Sequence, residues 1–219
     1  PFKLKLELLY YQVNFLPIMA VAYAVLGIFL ILIAVWHFFG SRIWLNKGLF
    51  IFKTGIIVLF VVHLGGLVLR SYLFGHNALS TGYDILVYMS SAAIIPGLLF
   101  IKKSPATLGF SALFAALLLI TAYQQFVMPE VGHGAPALKS AWFYTHEGFI
   151  MLSHAFFGLA AILGFISLTL MVFRLPYWRK LLNELITHFS RVNEVLLLLG
   201  LYLMTTSLII HTIWSNEAL

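Results

Sequence analysis

The sequence predicts an all-α, polytopic integral membrane protein of about six transmembrane helices, with both ends on the outer, periplasmic side. Three observations carry this. The 219 residues are 62% hydrophobic and 9% charged, with a mean hydropathy of +1.01, whereas soluble domains carry roughly 25% charged residues. The apolar runs are continuous, as in spanning helices, and do not alternate as barrel strands do. The basic residues divide unequally between the two sets of connections.

In chain order, residues 1–15 ("PFKLKLELLYYQVNF") hold too many charges to span and read as an interfacial segment. Residues 16–219 form the transmembrane domain. Its spans are expected at roughly Leu16–Phe39, Leu49–Leu69, Ile85–Ile101, Leu108–Val127, Trp142–Phe173 and Val195–Trp214; all but the longer fifth are close to the ~20 residues that cross a bilayer. The connections "FGSRIWLNKG", "FGHNALSTGYD", "KKSPAT", "MPEVGHGAPALKS" and "RLPYWRKLLNELITHFSR" carry turn chemistry. Eight basic residues fall on one side: Arg42, Lys47, Lys102, Lys103, Arg174, Arg179, Lys180 and Arg191. Four fall on the other: Lys3, Lys5, Arg70 and Lys139. The richer side is expected to be cytoplasmic. The chain begins with Pro1 and shows no signal-peptide pattern, so a preceding polypeptide is expected.

The net charge of +6 comes from residues scattered over short connections, with no basic stripe, so no nucleic-acid partner is expected. The absence of cysteine removes disulfides, iron–sulfur clusters and thiolate zinc sites. "HEGFIMLSH" lacks the H-E-x-x-H spacing, no phosphate loop is present, and no Ser/His/Asp set can be argued from spacing. Chemistry is left to the eight histidines. Imidazole is a common metal and haem ligand, although a membrane histidine also serves as a hydrogen-bond partner between helices.

Six histidines lie toward the outer side: His63, His76, His133, His146, His154 and His211. His37 follows Trp36 as an interfacial anchor, and His188 lies in a polar cytoplasmic connection. His146 is the leading candidate. Trp142 precedes it by four residues on the same helix face, at a membrane mouth that suits a flat aromatic ligand. His146 would take an iron while Trp142 packs the ring edge. Glu147 points elsewhere, and His154 reads as an interhelical hydrogen-bond donor. The residues alone reach a six-helix membrane protein with an outer, imidazole-rich site.

Three segments add a family resemblance. "LRSYLFGHNALSTGYDILVYMS" resembles the R-W-x-x-x-G-H-x-P-L-S-N-x-Y-E-S-L segment of the system II, Ccs-type cytochrome c synthases, in the cytochrome c assembly superfamily. "PALKSAWFYTHEGFIMLSHAFFGLAA" resembles their P-A-L-Q-S-x-W-L-x-x-H-V-x-x-x-x-x-S-Y-A segment, the most specific of the three. "NEVLLLLGLYLMTTSLIIHTIWSNEAL" resembles the helix ending in W-A-N-E-A-W-G. Ala78, Thr81, Gly82 and Asp84 depart from the family's usual Pro, Asn, Leu or Ala, and Glu. The chain stops at Leu219, before the family's tryptophan-rich loop. It is therefore expected to be the front part of a haem-handling module, fused to or completed by a partner part.

The resemblance implies that His146 is one of two outer axial ligands to haem iron. Trp142, His76 and Arg70 are the further cofactor-binding candidates. Arg70 is expected to hold either its own outer loop or a haem propionate. Haem b, apocytochrome c, the rest of the synthase and the bilayer are the implied partners, at the cytoplasmic (inner) membrane. The implied reaction joins haem vinyls to a C-x-x-C-H cysteine pair, as in a holocytochrome c synthase (haem lyase). Two other readings stand beside it. One is a b-type haem electron-transfer subunit of a quinone enzyme, which needs facing histidines among His63, His154 and His211. The other is a cofactor-free transporter or structural subunit, with Pro96 and Gly97 as its only helix break.

Overall fold

The computed structural model describes residues 5, 15–39, 43–74, 79, 81–125, 141–172 and 179–218, and from Phe15 on these described residues form seven helices. They are α1 (Phe15–Phe39), α2 (Ile43–Phe74), α3 (Gly82–Ala92), α4 (Ile94–Leu99), α5 (Pro105–Gln125), α6 (Ala141–Val172) and α7 (Arg179–Ala218). With α3 and α4 taken together, six stretches are long and apolar enough to cross a membrane. The expected all-α architecture and span count are borne out. Most of residues 1–14, with the predicted interfacial segment, and the His76 and His133 loops lie outside the described residues.

Apolar side chains cover the outside. Val61, Val68, Phe165 and Tyr202 are each more than 60% exposed, an arrangement only lipid can solvate. Association between such helices has no hydrophobic drive and relies on close packing at small residues. α5 supplies them: Ala106, Ala112, Ala115, Ala116 and Ala122 are buried. Gly109 faces Gly27 of α1 so closely that a Cβ on Gly27 would stand 2.8 Å from the Gly109 carbonyl oxygen. α1, α2, α3, α4 and α5 enclose the larger apolar core, which Ala155 of α6 joins. A second core runs between α6 and α7, through Phe156, Leu159, Leu163, Phe189, Val192 and Leu196. α1 turns back into α2 through a Trp36–Trp44 ring contact and a bond donated by His37 Nε2 to Asn46 Oδ1, 3.0 Å.

The third span breaks after Ala92. Pro96 has no N–H to give the Ala92 carbonyl, and its ring crowds that oxygen. Thr81 caps the start of α3: its Oγ1 accepts from Asp84 N at 3.1 Å and donates to Asp84 Oδ2 at 2.7 Å.

Two expected boundaries are corrected. α2 begins at Ile43, so much of "RIWLNKG" is helix. α7 begins at Arg179, sixteen residues before the predicted Val195, and most of the presumed turn "RLPYWRKLLNELITHFSR" is helical. The physical reason is amphipathicity. Leu185, Ile186, Phe189, Val192 and Leu196 recur at helical spacing and are all buried, while Glu184, Arg191 and Glu194 face out. His188 is therefore on a helix and not in a loop.

Candidate functional site

α6 and α7 run antiparallel, and this sets two stripes against each other. Phe143 and His146 on α6 meet Ser207, His211 and Trp214 on α7. The α7 residues recur at i, i+4 and i+7, one face of a helix. The rings form a row. Phe143 and Trp214 are 5.4 Å apart by ring centre, Trp214 and His211 5.2 Å, and His211 and His146 4.8 Å.

His146 is fastened at both its ring and its backbone. Ser207 Oγ donates to the His146 carbonyl oxygen at 2.9 Å. That oxygen Oγ is also 2.8 Å from His146 Nδ1, and the Ser207 carbonyl oxygen is 3.0 Å from the same nitrogen. His211 differs: its Nδ1 is buried and has no hydrogen-bond partner. A buried polar atom left unpaired costs about 1–3 kcal/mol. The α6–α7 contact thus has one imidazole held in place and one with a nitrogen unspent. The two rings are too close to sandwich a metal. Two bonds of about 2.0–2.1 Å in line on opposite sides of a metal would hold the ring centres roughly 6 Å or more apart.

The other predicted residues fall as follows. Trp142 is 40% exposed at the start of α6. No ring contact joins it to His146 among the described residues; His211 is the ring beside His146. Arg70 is buried and does not reach out to lipid. Its Nε donates to Asp84 Oδ1 at 2.6 Å, and its guanidinium lies 4.3 Å from the Tyr83 ring centre. This ties the end of α2 to the start of α3. His76 lies outside the described residues.

The remaining deep histidines stand apart. His63 is fully buried between α1 and α3, with Tyr23 Oη 3.4 Å from its Nδ1 and Ser90 Oγ 3.4 Å from its Nε2. Both of its nitrogens are occupied. His154 was expected to bond to a neighbouring helix. It is instead exposed, with Nδ1 donating to the Ile150 carbonyl of its own helix at 2.7 Å. The structure does not assemble His63, His154 and His211 into a facing pair.

No family model matches the chain. It is 34% identical over 216 residues to protein NrfI of Wolinella succinogenes, across 99% of this chain and 24% of that protein. The chain belongs to the Ccs-type family of cytochrome c biogenesis proteins. It is also 27% identical over 157 residues to the cytochrome c biogenesis protein CcsA of Pelargonium hortorum, across 65% of this chain and 47% of that protein. With CcsA of Prochlorococcus marinus it shares 32% identity over 93 residues, across 41% of this chain and 29% of that protein. This Ccs-type chain therefore spans about a quarter of NrfI and less than half of either CcsA protein.

Within the Ccs-type chain, sequence reasoning passed over Ser207 and Trp214 and gave His211 no secure role. The signal was present as a polar and aromatic stripe, 207–211–214, on an otherwise apolar helix. Reading it required knowing which face of α7 meets α6.

Proposed function

We propose that this segment holds haem at the outer face of the cytoplasmic membrane for covalent attachment to apocytochrome c. The observation that carries the reading is His146. Its Nδ1 is saturated by Ser207, its Nε2 has no hydrogen-bond partner among the described residues, and the neighbouring His211 has a buried Nδ1 unspent. The Ccs-type relationship supports the biogenesis role. The substrate is haem b, whose vinyl groups add the thiols of a C-x-x-C-H pair when bound. His146 would hold the iron through Nε2 and orient the ring at the water–lipid boundary. Trp142, exposed one turn earlier, covers a ring edge. Arg70 acts through Asp84, holding the α2–α3 connection that includes His76. The protein's part is orientation and redox protection of the haem. A further part of the synthase, fused or separate, would supply the rest of the haem site.

The full-length protein purified in detergent is expected to carry haem with the absorption spectrum of an imidazole-ligated iron. A protein that folds and assembles without haem would overturn the reading. A haem spectrum unchanged by Arg70→Ala in a folded protein would remove Arg70 from the site.

Orientation is part of the proposal and rests on the eight-to-four division of basic residues. Residues 1–15 then lie on the outer surface and both ends face the periplasm. A cysteine placed at Lys102 should resist an impermeant maleimide applied from outside and react once the membrane is opened. Labelling in intact cells would put His146 on the wrong face.

A further inference from the structure

We infer that Ser207 is a positioning residue that presets His146 in the tautomer with its hydrogen on Nδ1 and its lone pair on Nε2. This rests on the reading of His146 as the iron ligand, and it adds what makes that imidazole ready before haem arrives.

The hydrogen bonds leave one consistent arrangement. Ser207 has a single hydroxyl hydrogen, and it goes to the His146 carbonyl oxygen. Toward the ring, Ser207 Oγ can then only accept. The Ser207 carbonyl oxygen, on the same nitrogen, can never do anything else. Two acceptors converge on Nδ1, so Nδ1 carries the hydrogen. A neutral imidazole has one hydrogen to place, and Nε2 is left with its lone pair.

The consequence is chemical as well as geometric. The partner of a ligating histidine's second nitrogen sets ring orientation and ligand basicity. Here that partner is a neutral hydroxyl and a neutral carbonyl. It fixes direction without pushing onto the iron the electron density that a carboxylate would. The link from the Ser207 hydroxyl to the His146 backbone also couples ring position to helix position, so the ligand moves only as α6 and α7 move.

The test uses the full-length protein in membranes with 15N-labelled histidine, and it needs no haem. The His146 resonance is assigned by its loss in His146→Gln. The wild type is expected to show His146 protonated at Nδ1. Ser207→Val keeps a similar side-chain shape to threonine but has no hydroxyl, so it should raise the population protonated at Nε2. It should also weaken binding of added haem by roughly tenfold, the lower end for second-shell losses. Ser207→Thr returns the hydroxyl and should restore both readouts. A wild-type His146 protonated at Nε2 overturns the inference; the same tautomer ratio in Ser207→Val as in wild type overturns the part given to the hydroxyl, since the residue 207 carbonyl stays on Nδ1 in both. If Ser207→Val fails to fold, the wild-type tautomer decides. Failure of the haem reading shows differently: Nδ1 protonated as expected, yet haem binding unchanged in His146→Gly.

Discussion

His146→Gly in the full-length protein is expected to abolish cytochrome c product, a loss beyond the roughly 10–100-fold that second-shell changes cost. The substitution removes the imidazole whose Nδ1 is fixed by Ser207. It leaves the Phe143–Trp214–His211 row in place. Glycine in a helix costs about 1 kcal/mol, and the lost hydrogen bonds about 1 kcal/mol each. These are small enough for the bundle to remain folded. Haem is then expected to bind weakly and its iron to oxidise readily. Added imidazole should partly restore the spectrum, because it fits the vacated volume and offers the same nitrogen. His154→Gly is the control: that ring is exposed and bonded to its own helix, so cytochrome assembly should stay near wild type. A wild-type haem spectrum and yield in His146→Gly would dispose of the ligand assignment.

Gly27→Leu is expected to be the most damaging change to the fold. Its Cβ would meet Gly109 O at 2.8 Å, Ala112 Cβ at 3.2 Å and Leu113 Cγ at 3.3 Å. The first obstacle is backbone and cannot rotate aside, so α1 and α5 must separate. The cost is expected at the upper end of the roughly 1–3 kcal/mol of overpacking, or above it. Gly65 is the contrast, since a Cβ there meets nothing within 4 Å. Gly65→Ala should be neutral or stabilising by up to about 1 kcal/mol, through the helix preference for alanine. Unfolding in mixed detergent micelles, followed by circular dichroism, measures both. Equal midpoints for Gly27→Leu and wild type would show that the α1–α5 contact is not close-packed.

The spans were legible because lipid leaves few options: a run of twenty apolar residues has to be a helix. His146 drew notice as part of a polar aromatic cluster at a helix mouth, and the structure sets it against Ser207 and His211; its ligand role is the proposal. What escaped was pairing. Nothing in "TTSLIIHTIW" says which face of that helix meets another, so Ser207 looked like one more small hydroxyl residue. Trp142 stood out by its four-residue spacing from His146, yet spacing along one helix does not specify rings contributed by a second. The start of α7 was missed because its charges masked the buried Leu185, Phe189 and Val192 pattern. Arg70 was expected to hold its own loop or a haem propionate, but its partner, Asp84, is fourteen residues away across a turn and could not be picked out from spacing.

α7 is 40 residues long, about 60 Å at 1.5 Å per residue, twice the ~30 Å hydrocarbon thickness. Its buried Leu196 and Ser207 are eleven positions apart, close to three whole turns. The buried contact with α6 at Leu196 and the imidazole row are therefore in nearly the same angular phase, carried by one uninterrupted rod. Deleting a single residue between them would swing Ser207 and His211 by about 100° about the rod's axis. A loop absorbs such a change; this helix cannot, so its residue count is itself a coordinate of the site.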